Sequence, residues 1–334
     1  MRSIIICGLF ILYGNTNWQS GELKRFQLNG TAQGTTYHIT YYAADSFVIK
    51  KQIDSILDKI DSSLSLYKSY SLINQFNNSK SGLEVDEHFI NVVKKAKEVY
   101  KATGGLFDVT IYPLTDAWGF GPSVKDSMPD SNKVRQLVSC VNSSFIYLQG
   151  KKLIKKKPCV QLDANGIAQG YSVDVIAGFF EKKGITRYLV ELGGEIRIKG
   201  RKYPENEKMK IGIESPGADP EFPMIEKVIW LDNGAVTTSG NYRRYYESDG
   251  KKITHLIDPK TGYPIRNELI SVTVFAKDAI TADGYDNALM GMGLKKALAF
   301  VEKRKDIAAH FIYQKKDGTT ADTMSRRFRA LLQP

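Results

Sequence analysis

At 334 residues, with 42% hydrophobic and 25% charged residues, the chain has material for one large domain or two small ones and the balance of a soluble globular protein. That composition excludes a disordered chain and a polytopic membrane protein. The formal net charge of +11 is scattered along the chain, and no helix-turn-helix, zinc-finger or RNP pattern turns it into a nucleic-acid footprint.

Residues 1–20 stand apart. Arg2 precedes the apolar run of "SIIICGLFILYG", which is too short to span a bilayer comfortably and has the shape of a secretory h-region. It reads as a signal peptide or N-terminal membrane anchor, with a buried strand as the other reading. Cys7 inside the run raises lipidation, although "SIII" before it lacks the usual small residue. Cys140 and Cys159 could pair in an oxidising compartment but show no metal-ligand spacing.

Residues 21–334 read as one domain. "KRFQLNGTAQGTTYHITYYA" alternates and predicts a hairpin turning at Asn29–Gly30 or at Gly34. Apolar spacing of three and four predicts helices in "SFVIKKQIDSILDKIDSSLSLY", in "DEHFINVVKKAKEVYKATGG" with a stop at Gly104–Gly105, and in "YSVDVIAGFFEKKGI" ending at Gly184. "KKLIKKK" at 151–157 reads as a hairpin edge with its lysines facing water. "RYLVELGGEIRIKG" predicts a strand pair, "KMKIGIESP", "EKVIWLDNGAVTTSG" and "LISVTVFAK" predict further strands, and residues 280–304 return to helix. Helices early and strands later predict a single α+β domain, two-lobed, with mostly antiparallel or mixed sheets and flanking helices.

Four stretches carry more polar groups and glycine than packing requires. "GGLFDVTIYPLTDAWGFGP" places Asp108 after a helix stop and interleaves Trp118 and Phe120 with glycines, which suits either core or a stacked planar ring. "LDANGIAQGYSVD" brings Gly166 and Gly170 to a helix start, where backbone can approach a phosphate or a cation. "TTSGNYRRYYESDGKKITHLIDPKTGYP" opens on what resembles an anion-binding turn followed by Arg243 and Arg244, then offers His255 and Asp258. "AITADGYDNALMGMG" sets Asp283, Asp286 and Asn287 on one helix face within a turn. Acids near a helix start, with Thr281 as N-cap, could serve the helix dipole alone; a hard divalent cation would use all three oxygens and remove their repulsion. No nucleophile elbow, Walker loop or HExxH is present.

Taken in order, "QGTTY", "SLYKSYSLINQFN", "GGLFDVTIYPL…WGFG", "LDANGIAQGYSVD", "ELGGEI", "TTSGNYRRYY", "HLIDPKTGYP" and "ADGYDNALMGMG" resemble the FAD:protein FMN transferase (ApbE-like) family from about residue 30 to residue 305. The resemblance implies a fold built from related βαβ-like halves and a Mg2+-dependent, exported enzyme that moves the FMN half of FAD to a Ser or Thr of a partner protein. It implies Asp283, Asp286, Asn287 and the main-chain carbonyl of Gly166 as metal ligands. FAD contacts map to Gln33, Tyr67, Leu106, Phe107, Asp108, Asp163, Gln169 and Ile257. The chain departs from the family at Gln33, where Met is frequent, at Gln169, where Lys or Glu is frequent, and at Asn287, where Thr is usual.

Attack by a hydroxyl on the FMN phosphorus needs charge neutralisation, in-line positioning and a proton acceptor. His255 is the candidate acceptor, because a histidine can be neutral near pH 7. AMP would leave and FMN would remain as a phosphoester. The acceptor expected is a membrane or exported electron-transfer flavoprotein, and the enzyme is expected at the periplasmic face of the inner membrane. FAD pyrophosphatase activity and non-catalytic flavin carriage are the competing functions.

Overall fold

The computed structural model describes residues 22–122, 127–216, 225–242, 245–248 and 251–334. The N-terminal run with Cys7, and Arg243 with Arg244, lie outside the described residues. The chain starts with strands β1 (Lys24–Ala32) and β2 (Thr35–Ala43), then helices α1 (Lys50–Leu64) and α2 (Leu72–Asn78), strand β3 (Gly82–Glu84), and helices α3 (Glu87–Ala102), α4 (Tyr112–Ala117) and α5 (Ser131–Val138). Next come β4 (Ile146–Gln149), β5 (Lys152–Lys155), α6 (Ala168–Lys182), β6 (Tyr188–Leu192), β7 (Glu195–Lys199), β8 (Met209–Glu214) and β9 (Ile225–Leu231). The remainder comprises β10 (Asn233–Gly240), β11 (Tyr245–Ser248), β12 (Lys251–Thr254), β13 (Leu269–Ala276), α7 (Ala279–Met292), α8 (Leu294–Glu302), β14 (Ile307–Gln314), β15 (Thr320–Met324) and α9 (Arg326–Arg329).

Eight strands form one sheet in the order β1-β2-β6-β7-β10-β13-β14-β15, with every pairing antiparallel. Each half of the chain supplies four neighbours. In the first half helices separate β2 from β6; in the second, α7 and α8 separate β13 from β14. The related halves are therefore repeats of strand pair, helices, strand pair. Because side chains alternate across a strand, the sheet presents two apolar faces. Ala235 and Val190 join Phe180 and Val173 beneath the helices, while Val236 and Ile198 pack with Ile211, Ile229 and Phe328 of β8, β9 and α9 on the other face. α7 is buried on nearly every side, between the sheet, α3 and α6.

The hairpin turns at Gln33–Gly34, both with positive φ (53° and 77°), as a two-residue turn between twisted strands requires. Asn29–Gly30 instead lies within β1, paired with His38 and Tyr37. The expected helix over 280–304 is two helices, broken at Gly293. Its N-cap is Asp278, whose side chain accepts from the Thr281 N–H at 3.0 Å, so Thr281 is inside the helix and does not cap it.

The 151–157 segment supplies β5, which forms a hairpin with β4 but is the central strand of the sheet β3-β5-β4 and not an edge, and not all its lysines face water. Lys155 is buried, with Nζ donating to the carbonyls of Val160 (2.9 Å) and Asn77 (3.3 Å) and lying 4.8 Å from the centre of the Phe76 ring. Burial lowers its pKa to about 8. Cys140 and Cys159 form a disulfide with Cα atoms 5.6 Å apart, tying the end of α5 to the segment after β5. Closing a loop of sequence separation 19 should contribute about 3 kcal/mol through the unfolded chain. Replacing both cysteines by serine should lower the urea midpoint accordingly, and dithiothreitol should then cause no further loss.

Candidate functional site

Asp283 and Asp286 are 4% and 1% exposed, so they are core residues and not acids of a helix surface. The approach of α6 holds the first of them. A Cβ on Gly170 would fall 2.5 Å from the Ala279 carbonyl oxygen and 2.7 Å from Asp283 Cβ, so only glycine lets the helices come this close. The Gly170 N–H then donates to Asp283 Oδ2 at 2.8 Å. Strand β10 holds the rest of the face. Residues two apart share a side of a strand. Thr237 Oγ1 donates to Asp286 Oδ2 at 2.7 Å and Ser239 Oγ to Asn287 Oδ1 at 3.1 Å.

These hydrogen bonds leave the charge problem unsolved. Burial pushes the Asp283 carboxyl up to about 7, with Asp174 adding to the shift. Asp286 is raised well above the usual range by burial and then by Asp283 itself. Among the described residues neither makes a salt bridge. The Asn287 amide meets the Asp286 carboxylate and two main-chain carbonyls: its Nδ2 donates to Asp286 Oδ1 (3.0 Å), the Asp283 carbonyl (3.3 Å) and the Gly166 carbonyl (3.4 Å). An N–H pair aimed at converging oxygens occupies the kind of place a cation would take. Two carboxylates, a reversible amide and a main-chain carbonyl make a hard, all-oxygen donor set that fits Mg2+.

The expected flavin residues fall in separate groups, of which Leu106 and Phe107 lie against this face. A Cβ on Gly166 would meet Asn287 at 3.3 Å and Phe107 at 3.4 Å, and one on Gly291 of α7 would meet Leu106 at 4.0 Å. Gln33, in the β1–β2 turn, donates through Nε2 to Ser172 Oγ on α6 at 2.9 Å, while Gln169 approaches the Gly193 turn beside Thr35. Asp163 accepts from Thr115 Oγ1 and the Asn165 N–H, both at 2.9 Å, while Tyr67 is exposed. Asp108 has both oxygens engaged, by the hydroxyls of Thr110 and Ser143 (2.6 Å each) and their N–H groups (2.9 and 3.0 Å). It braces its loop against the segment before β4, and its pKa is raised by burial in spite of those bonds.

His255 is half-buried, edge-on to Phe120 with ring centres 6.3 Å apart. Ile257 packs below it with Leu114 and Trp118. Leu256, between them, accepts from the Ile265 N–H at 2.8 Å, and Ile265 lies beside Gly291 of α7. The His255 segment thus leans on the C-terminal half of the acidic helix.

Three contributors escaped the sequence reading. "TTSG" is not an anion-binding turn but the end of β10, and the period-two spacing of Thr237 and Ser239 is the signal that could have found it. Asp174 caps α7, accepting the N–H groups of Ala279 (3.0 Å) and Ile280 (2.8 Å); burial raises it to about 6. A separate cluster of Glu226, His310 and Asp322 already holds the Lys227 ammonium, 3.0 Å from Asp322 Oδ2.

A helix-covered antiparallel sheet carrying a buried, oxygen-lined acidic helix defines the chain as an α+β protein. The chain belongs to the ApbE family, whose sequence profile matches residues 33–311. It is 36% identical over 286 residues to an FAD:protein FMN transferase of Vibrio cholerae, covering 84% of this chain and 85% of that one. It is likewise 36% identical over 317 residues to that of Haemophilus influenzae, covering 91% of each. Flavin transferase ApbE from Vibrio cholerae superposes with a TM-score of 0.83 at 34% identity, over 93% of this chain and 100% of that chain. The apo flavinyl transferase ApbE of Pseudomonas stutzeri gives 0.83 at 32% identity, over 93% and 98%.

The raised carboxyls have a measurable consequence. The unfolded chain releases these protons in the ordinary carboxylate range, whereas folded, metal-free protein holds that of Asp283 up to about 7. Stability should therefore fall as pH rises through that window. Thermal unfolding in EDTA should show the fall between about pH 4 and about pH 7. Saturating Mg2+ should remove the slope, and Asp283→Asn, which cannot ionise, should reduce it without metal to the part that Asp286 contributes.

Proposed function

We propose that the protein is an FAD:protein FMN transferase that cleaves FAD and attaches FMN through a phosphoester to a Ser or Thr of an acceptor protein, releasing AMP. The observation that carries this is the buried, unneutralised Asp283–Asp286 pair, with Asn287 and the Gly166 carbonyl completing an oxygen set that a flavin carrier would have no use for. Its Mg2+ would neutralise charge on the pyrophosphate oxygens.

The chain's own groups supply the rest. Leu106 and Phe107 form an apolar wall against α7, and the Gly166–Gly170 turn lets backbone approach the phosphates. Asp108 and Asp163 serve by fixing the loops that carry that wall, since their oxygens are engaged within the protein. The acceptor hydroxyl attacks the FMN phosphorus, the bond to the AMP oxygen breaks, and His255 Nδ1 or Nε2 takes the hydroxyl proton. The acceptor is an exported or membrane electron-transfer protein, and the reaction takes place at the periplasmic face of the inner membrane. This placement is supported by the N-terminal apolar run and agrees with the disulfide.

Purified protein with FAD and Mg2+ should release AMP only when the acceptor is present. AMP without acceptor would instead make it a pyrophosphatase, and no AMP under either condition a carrier. His255→Gln should lower transfer by roughly 10²–10⁴ while FAD still binds. Loss of FAD binding along with activity would make His255 a binding or structural residue.

A further inference from the structure

Phe47, Val48 and Ile49 join β2 to α1. Val48 is 2% exposed, while Phe47 and Ile49 are 53% and 56% exposed. Successive side chains of an extended segment point to opposite sides, so anchoring the middle residue turns its two neighbours outward. The anchor is firm. Val48 packs in the core with Tyr41, Phe180 and Ile185, and its carbonyl accepts from the Tyr41 hydroxyl at 3.1 Å. Ile49 is also the N-cap of α1, a position that favours Ser, Asp or Asn. It makes no side-chain cap bond, and its N–H is satisfied by the Gln52 side chain at 3.1 Å. Helix stability does not explain a half-exposed isoleucine there.

The strand register shows what surrounds this pair. Lys24 pairs with Ala43, so the chain enters the sheet at the same end as the loop. Tyr41 pairs with Tyr188 and the Tyr42 N–H donates to the Arg187 carbonyl at 2.9 Å, bringing the C-terminus of α6 to that end as well. Lys24, Arg25, Lys51, Lys182 and Lys183 are exposed there and Arg187 is half-buried. Of the acids on these segments, Glu181 is paired with Lys199 and Asp54 with Lys50, while Glu22 and Asp45 set two negative charges beside those six cations. The β1–β2 turn at Gln33 and the Gly193 turn lie at the opposite end of the same strands.

We propose that this basic end docks on an anionic phospholipid bilayer, with Phe47 and Ile49 entering the boundary between headgroups and acyl chains. The lysines and arginines lie among the phosphates. The apolar run at residues 4–12 identifies the occupant. Residues 13–21 separate it from Glu22, a tether of at most about 30 Å when extended. A run held in a membrane therefore keeps the loop within reach of that same membrane. The inference rests on the proposed export and anchoring of the chain. It turns the Gln33 and Gly193 end, with the candidate site, away from the lipid and toward the acceptor.

Full-length protein should be co-sedimented with vesicles of phosphatidylcholine alone and of phosphatidylcholine mixed with phosphatidylglycerol. Wild type should bind the mixed vesicles about tenfold more tightly, and added salt should erase the difference. Phe47→Ser with Ile49→Ser should weaken binding to mixed vesicles about tenfold. Lys51→Glu with Lys182→Glu and Lys183→Glu should abolish the lipid preference. Both variants should keep the wild-type unfolding temperature and the rate of FMN transfer to a soluble acceptor. Equal binding by wild type and both variants on both vesicles would overturn the proposal and leave the anchored run standing. Failure of wild type to bind either vesicle would overturn both.

Discussion

Asp283 and Asp286 sit three residues apart on a helix enclosed by the sheet and two other helices, so their carboxylates share one face in a medium that cannot hold two uncompensated negative charges. Withdrawing one carboxylate from water costs several kcal/mol even after relaxation, and the second adds repulsion to its own desolvation. Against this stand one backbone N–H on Asp283, and one hydroxyl and one amide on Asp286. A hydrogen bond to a charged group contributes about 1.5–3 kcal/mol. Protonation meets the deficit in the metal-free protein, and the proposed divalent cation would meet it in place of the protons.

The architecture around α7 follows from that constraint. Gly170 is small so that α6 can approach and donate, β10 turns the hydroxyls of Thr237 and Ser239 toward the helix, and Asp174 fixes the helix start. The Gly166 turn brings a carbonyl to Asn287 and Phe107 to the same place. The residues proposed to wall the flavin and to hold the cation are therefore one packed unit. Displacing the turn would disturb both, which explains how a fold with eight antiparallel strands can serve a reaction at one helix face.

Much of this was legible in the sequence, because each helix and strand carries its own period. The i, i+3, i+4 spacing of Asp283, Asp286 and Asn287 is preserved as one face of α7, and the alternation of "RYLVELGGEIRIKG" as β6 and β7. What escaped depended on partners distant in sequence. Lys155 reads as an edge lysine until the carbonyls of Asn77 and Val160 close around it. Thr281 reads as a cap because nothing local reveals that Asp278 and Asp174 hold the helix start. Thr237 and Ser239 read as a turn because their relation to α7 spans 49 and 48 residues.

The central claim is that the buried carboxylate pair exchanges protons for a divalent cation. Calorimetric titration of Mg2+ into the metal-free protein near pH 6, repeated in buffers of different ionisation enthalpy, counts the protons released on binding. The account predicts net release that declines as the pH is raised past about 7 and is smaller in Asp283→Asn, where Asp286 alone gives up a proton. Mg2+ binding with no proton release at any pH, or undiminished release in that variant, would contradict it.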